Sequence, residues 1–291
     1  MDRVLKDLVQ LLDLEKIEEN IFRGQSRDIG TPQVFGGQVL GQAMCAASQT
    51  LEDEEGAVRR PHSLHAYFLR RGDVDVPIVY EVDRARDGRS FSNRRVVAIQ
   101  HGRPIFNMAA SFHLDEEGVE HQLDLPDVPD PESLADLKEI SKEALQKAPE
   151  RMKRFVTTER PFFVRPVQIP NFEAPAKQLP VKQVWMKAVD KLPDDPAIHQ
   201  RILAYMSDYG LLGTATLPHG IAYMHDSVVM ASLDHALWFH HACRVDEWLL
   251  FSYDSPSASG ARGLSRAQVF TQDGKMVASI AQEGLIRLLD E

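Results

Sequence analysis

Cysteine is scarce: the 291 residues contain two, Cys45 and Cys243. Two thiols cannot build a disulfide framework or a four-thiolate zinc site, and a reducing cytoplasm suits them. Positive charge is in deficit. Against 43 Asp+Glu there are 33 Lys+Arg, a net charge of −10, the wrong sign for a nucleic-acid partner. Long apolar runs are missing, since none approaches the roughly 18 residues of a membrane span. The first residues mix charges among leucines, unlike the apolar core of a signal peptide, and Leu288-Leu289-Asp290-Glu291 is not a peroxisomal tail. What is present is ordinary globular composition, 43% hydrophobic and 26% charged, which excludes disorder. A soluble cytoplasmic protein is expected.

Proline divides the chain. Residues 126–180 hold nine of its 17 prolines, a density that disfavours a long helix or a central strand. The segment 119–180 therefore reads as an extended connection wrapped over the surface. A short helix fits at Glu132–Lys147, and Phe155, Phe162, Phe163 and Val164 need burial. On either side lie an N-terminal unit, 1–118, and a C-terminal unit, 181–291.

These flanks repeat one another. Displaced by 172 positions, Gly88 meets Gly260, Arg94 meets Arg266, Gly102 meets Gly274 and Ala109 meets Ala281. With a two-residue slip upstream, His65-Ala66 falls on His235-Ala236. Each copy offers a helical pattern, Gly37–Ser48 and Pro196–Leu212, followed by strand-like runs. Those of the first copy are Ser63–Leu69, Ile78–Asp83, Arg94–Gln100 and Pro104–Phe112. Those of the second are Val228–Phe239, Trp248–Asp254, Arg266–Thr271 and Lys275–Arg287, with a hairpin signal at Asp273-Gly274. One helix and then an antiparallel set of strands, twice over, is α+β. A long helix wrapped by a curved antiparallel sheet is the hot-dog arrangement, here a double hot dog.

Several blocks also resemble a known family. Val34-Phe35-Gly36-Gly37-Gln38-Val39-Leu40-Gly41-Gln42-Ala43, Leu64-His65-Ala66-Tyr67-Phe68-Leu69-Arg70, Tyr205-Met206-Ser207-Asp208 and Ser232-Leu233-Asp234-His235-Ala236-Leu237-Trp238 are similar to the acyl-CoA thioesterase II family. The likeness extends over nearly the whole chain and is weakest at about 115–180. It implies hydrolysis of acyl-CoA by an activated water, with no covalent intermediate and no cofactor. It implies that Asp208, Ser232 and Gln282 hold that water, with serine where many relatives carry threonine, and it implies a homo-oligomer.

The residues themselves bear on this in different degrees. Asp208, read within a helix, has Ala204, Tyr205, Leu211 and Leu212 as its i±3 and i±4 neighbours, an apolar face that would raise its pKa and suit a base. The alternative is a surface aspartate near a helix end. Gln282 alternates onto a face with Met276, Ala278 and Ile280, where the first copy has Ala110. A buried amide needs a partner, in the site or on the backbone. Ser232 alone signals little, and its slip-corrected counterpart is His62.

Other chemistry is weaker. There is no Gly-x-Ser-x-Gly elbow and no P-loop. Gly36, Gly37 and Gly41 permit close backbone approach, and exposed amides there can also bind a carbonyl or phosphate. His235, His240 and His241 do not share one strand face, so no metal is expected. Residues 59–103 hold ten arginines and no lysine, which suits CoA phosphates or solvated strand faces and ion pairs. On the first view, replacing Arg94 and Arg95 would raise KM. Two rivals remain. A hot-dog enoyl-CoA hydratase would use Asp194 and His199, although Asp195-Pro196 also reads as a helix cap. The other is a non-catalytic acyl-CoA-binding protein.

Overall fold

A helix without a charged residue, its two glutamines hydrogen-bonded inside, is fit to be enclosed on all sides, and Gly36–Ser48 is buried continuously from Gly37 to Ala47. What encloses it is seen in a computed structural model, which describes residues 1–31, 33–52, 58–139, 150–169, 176–221 and 227–289. The N-terminal half contains α1 (Arg3–Leu11), β1 (Glu15–Glu18), β2 (Ile21–Gly24), α2 (Gly36–Ser48), β3 (Arg59–Phe68), β4 (Ile78–Asp87), β5 (Phe91–Gln100) and β6 (Arg103–Leu114). The C-terminal half contains α3 (Glu150–Thr157), β7 (Phe162–Pro166), β8 (Val181–Ala188), α4 (Pro196–Met206), α5 (Leu211–Thr214), β9 (Val228–Ser232), β10 (Asp234–Phe239), β11 (Leu249–Ser259), β12 (Arg262–Thr271) and β13 (Met276–Leu288).

The strands form one sheet in the order β1-β2-β4-β5-β6-β3-β10-β13-β12-β11-β8-β7, with β9 also on β13. The order reads the same from both edges, and β3 pairs antiparallel with β10 at the middle. This is the double hot dog expected from the sequence. The helices α2 and α4 pack antiparallel at the centre. A Cβ added to Gly37 would lie 2.2 Å from the Tyr205 carbonyl oxygen, and one added to Gly41 3.0 Å from that of Arg201. Only glycine allows so close a helix pair. Among the described residues no helix is long and apolar enough to cross a membrane.

Strand register corrects the alignment of the two copies. Both β3 and β9–β10 carry a bulge, between Pro61 and Ser63 in the first copy and at Leu233 in the second. Both β4 and β11 carry one too, after Asp83 and after Asp254. Superposed on these bulges, the copies are offset by 171 positions (254 − 83). The β12–β13 turn then adds one residue, so that the bulge between Ala98 and Ile99 has its counterpart in β13 after an offset of 172 (277 − 105). The upstream slip is therefore one residue and not two. The counterpart of Ser232 is Pro61, not His62, and that of His235 is Leu64. The counterpart of Arg94 is Ser265 rather than Arg266, which matches burial, since Arg94 and Ser265 are both buried.

Three local expectations also change. The helix read over Pro196–Leu212 stops at Met206. Ser207 turns its hydroxyl back onto the Ala204 carbonyl at 2.8 Å, and Gly210 takes φ 78°, a left-handed conformation that ends the turn before α5. The run Val228–Phe239 is broken at Leu233 by its bulge. In the proline-rich segment, β7 is a strand, but at the sheet's edge and bonded only to β8, where proline costs no ladder bond. Of the aromatics there, Phe162 is buried, while Phe163 is 37% exposed and lies near Trp248 and the Lys187 ammonium. Half of the helix expected at Glu132–Lys147, residues 140–147, lies outside the described residues; at its start is a 3-10 turn, Pro131–Ser133, followed by non-helical backbone at 134–136.

Arg94 is not a phosphate ligand. Its guanidinium is fully buried and donates to Thr50 Oγ1 (2.8 Å), Asp87 Oδ1 (2.7 Å), and the carbonyls of Thr50, Arg86 and Asn93. It ties the end of α2 to the β4–β5 hairpin. Arg94→Met should therefore lower unfolding stability by about 2–4 kcal/mol in denaturant titration, from lost buried hydrogen bonds. The folded fraction should keep its KM.

Candidate active site

The break between α4 and α5 places Asp208 against the N-terminus of α2. The Gly37 amide donates to its Oδ2 at 3.0 Å, and Gln282 Nε2, from β13, donates to its Oδ1 at 2.6 Å. A Cβ on Gly36 would lie 2.6 Å from the same carboxylate, so glycine is required for the approach. Withdrawal from water pushes the Asp208 pKa up to about 6, against the lowering effect of Gln282 and Gly37. The aligned peptide dipoles of α2 add to that lowering. Asp208 is thus a half-buried carboxylate that titrates near neutrality with two donors aimed at it. It is neither in a helix nor on an open surface.

Gln282 is 2% exposed. Its Nε2 also faces His235 Nδ1 at 3.2 Å, and His235 Nε2 lies 2.8 Å from Ser207 Oγ. His235 is buried and its pKa is pushed down to about 3 by loss of hydration, so the ring is neutral. On the other flank Ser265 of β12 stands directly across from Gln282. It is buried, and its Oγ has no hydrogen-bond partner among the described residues. Ser232 ends β9 opposite Gly284, two residues beyond Gln282 and hence on the same sheet face. It is half-buried, and its hydroxyl bonds none of the described residues.

Residues 24–113 match the family model for the acyl-CoA thioesterase N-terminal domain, and residues 152–285 match that for acyl-CoA thioesterase. Acyl-CoA thioesterase 2 of Haemophilus influenzae is 42% identical over 288 residues, 99% of each chain. The chain belongs to the acyl-CoA thioesterase II family. Acyl-coenzyme A thioesterase 8 of Homo sapiens is 38% identical over 96% of this chain and 88% of its own. Among solved structures, an acyl-CoA thioesterase II from Mycobacterium marinum superposes with a TM-score of 0.78 at 40% identity, over 97% of this chain and 98% of that one.

In this thioesterase-family chain, two of the three residues singled out by sequence, Asp208 and Gln282, are in direct contact, and Ser232 lies on the sheet face of Gln282, opposite Gly284. The residues of the hydratase alternative do not converge. Asp194 is exposed and pairs with Arg244. His199 accepts from the Val245 amide at Nδ1 (3.2 Å) and holds the Pro193 carbonyl with Nε2 (3.1 Å). Both ring nitrogens are committed to backbone, which leaves none for a substrate. Asp195 caps α4 through the Ala197 amide at 2.9 Å, as the Asp-Pro pair suggested. Sequence reasoning missed His235 and Ser207 as members of the site. The signal was available: with the one-residue slip, His235 and Gln282 replace the facing apolar pair Leu64 and Ala110.

Proposed function

We propose that the protein hydrolyses acyl-CoA to free fatty acid and CoA by direct attack of a water that Asp208 deprotonates, with Gln282 and Ser232 orienting that water. The observation that carries this reading is the Asp208 carboxylate, held by Gln282 and the Gly37 amide and titrating at about 6. Such a base is largely ionised at neutral pH, yet basic enough to take a proton. The water oxygen bonds to the thioester carbonyl carbon as its proton passes to Asp208. The tetrahedral adduct then expels CoA as thiolate, which takes up the proton, and no enzyme atom bonds to the acyl group. Gln282 supplies an amide and Ser232 a hydroxyl on the face where that water must sit.

The test is thiol release from a panel of saturated acyl-CoAs of differing chain length. Release is expected, with kcat falling on an acidic limb centred near pH 6, where Asp208 becomes protonated. No release at any length would leave an acyl-CoA-binding protein, and a rate constant flat from about pH 5 to 8 would remove Asp208 as the base.

A further inference from the structure

Gln282 works only if its carboxamide faces the right way, and the two ends of an amide have nearly the same shape. The surroundings of Gln282 decide the matter. Ser207 donates its hydroxyl proton to the Ala204 carbonyl at 2.8 Å, so toward His235 its oxygen accepts. His235 Nε2 therefore carries the ring's proton. A neutral imidazole has a single N–H, which leaves Nδ1 as an acceptor. The Gln282 atom 3.2 Å from Nδ1 must then be the NH2 nitrogen, and its second hydrogen reaches Asp208 Oδ1 at 2.6 Å. An ionised Asp208 makes the same demand from the other end of the chain, since it rejects the carbonyl oxygen.

We propose that His235, its tautomer set by Ser207, is a positioning residue that fixes the orientation of the Gln282 carboxamide toward Asp208. It touches neither substrate nor Asp208 and acts through Gln282. The two copies of the fold support this independently of the distances. At the same register the first copy pairs Leu64 with Ala110, and the second pairs a histidine with a glutamine. A buried polar pair that replaced an apolar one is costly unless each member satisfies the other. His235 is thus present because Gln282 is, and the inference rests on the reading of Asp208 and Gln282 given above.

The experiment compares three variants of the full chain with the parent, each with a melting curve, kcat, KM and a pH profile. His235→Leu copies Leu64 and removes both hydrogen bonds of the ring. In His235→Asn the side-chain oxygen takes the place of Nδ1 as acceptor. Asp208→Asn reports on the underlying reading. His235→Leu is expected to keep KM and to lose about ten- to a hundredfold in kcat, as a misaimed orienting group does. Its acidic limb should also move to higher pH, because an untethered Gln282 no longer favours the Asp208 carboxylate. His235→Asn should recover most of the kcat and return the limb toward the parent's position.

A folded His235→Leu with the parent's kcat and limb overturns the inference. So does a loss of kcat with an unmoved limb that His235→Asn fails to rescue, which is the signature of packing alone. Should His235→Leu not fold, His235→Asn decides: a limb and kcat near the parent's support the inference, and a loss at an unmoved limb overturns it. Full hydrolysis by Asp208→Asn removes the underlying reading itself. An inactive Asp208→Asn beside a normal His235→Leu removes this inference only.

Discussion

Asp208→Asn should abolish thiol release, lowering kcat by about 10³-fold or more, while KM stays near the parent's value. The substitution keeps the size of the side chain and removes the one property the mechanism needs, a site that accepts the proton of water. Its effect on stability has two opposed parts. Asp208 receives two N–H donors, from Gly37 and Gln282, and an amide offers one oxygen and one NH2. One donor therefore meets another donor, at a cost of about 1–3 kcal/mol. Against this, the variant no longer holds a desolvated charge.

The second part depends on pH in a defined direction. The folded-state pKa of Asp208, about 6, lies above its ordinary 3.8, so the native protein binds this proton more tightly than the unfolded chain does. The parent loses stability on this account as pH rises from about 4 through about 6. The variant has no such loss. The difference in melting temperature, variant minus parent, should therefore grow more positive from pH 4 to pH 7 and level off above it. A constant difference would mean that Asp208 does not titrate near 6. His199→Ala, by contrast, should cost stability through the Pro193 and Val245 contacts and leave kcat within severalfold of the parent's.

How much of this was legible in the sequence depended on whether the signal was local. The charge-free helix Gly37–Ser48 and the hairpin at Asp273-Gly274 follow from composition over a few residues, the duplication follows from an ordered series of identities along the unit, and the structure has all three. The Asp195-Pro196 cap was readable for the same reason. The helix break at Ser207–Gly210 was not, because the pattern of apolar residues continues across it into Leu211 and Leu212. What stops α4 is a backbone conformation at Gly210 and a serine hydroxyl folded onto the preceding turn, neither of which alters periodicity.

The alignment of the copies failed for a related reason. Matching identities such as Arg94 with Arg266 favours an offset of 172, whereas bulges and hairpin lengths set an offset of 171 through most of the unit. A one-residue error exchanges the two faces of a strand. It equated a buried arginine that ties α2 to a hairpin with an exposed one paired to Asp254. It also hid the replacement of Leu64 by His235. A single charged residue type therefore carried two unrelated roles, and the arginine excess in residues 59–103 was no guide to which arginine did what. Arg84 and Arg60 form ion pairs, and Arg94 is part of the core.

The asymmetry between copies makes Gln282→Ala the most informative variant after Asp208→Asn, because it installs what the first copy carries at Ala110 and so should be tolerated by the fold. Loss of the amide removes the donor to Asp208 Oδ1 and leaves His235 Nδ1 without a partner. The expected result is a fall in kcat of about 10²-fold or more, the size seen when one site hydrogen-bonding group is removed. It should come with an acidic limb moved above pH 6, since Gln282 is the stronger of the two influences that oppose the effect of burial on Asp208. Stability should change little: the cavity left by the shortened side chain is polar-walled and adjoins the half-buried Asp208, and a water fits such a space. Steady-state kinetics across the pH range, with a melting curve for each protein, makes the comparison. A variant with the parent's kcat and an unmoved limb would reduce Gln282 to a structural hydrogen bond, and Asp208 would then hold its water with Ser232 alone.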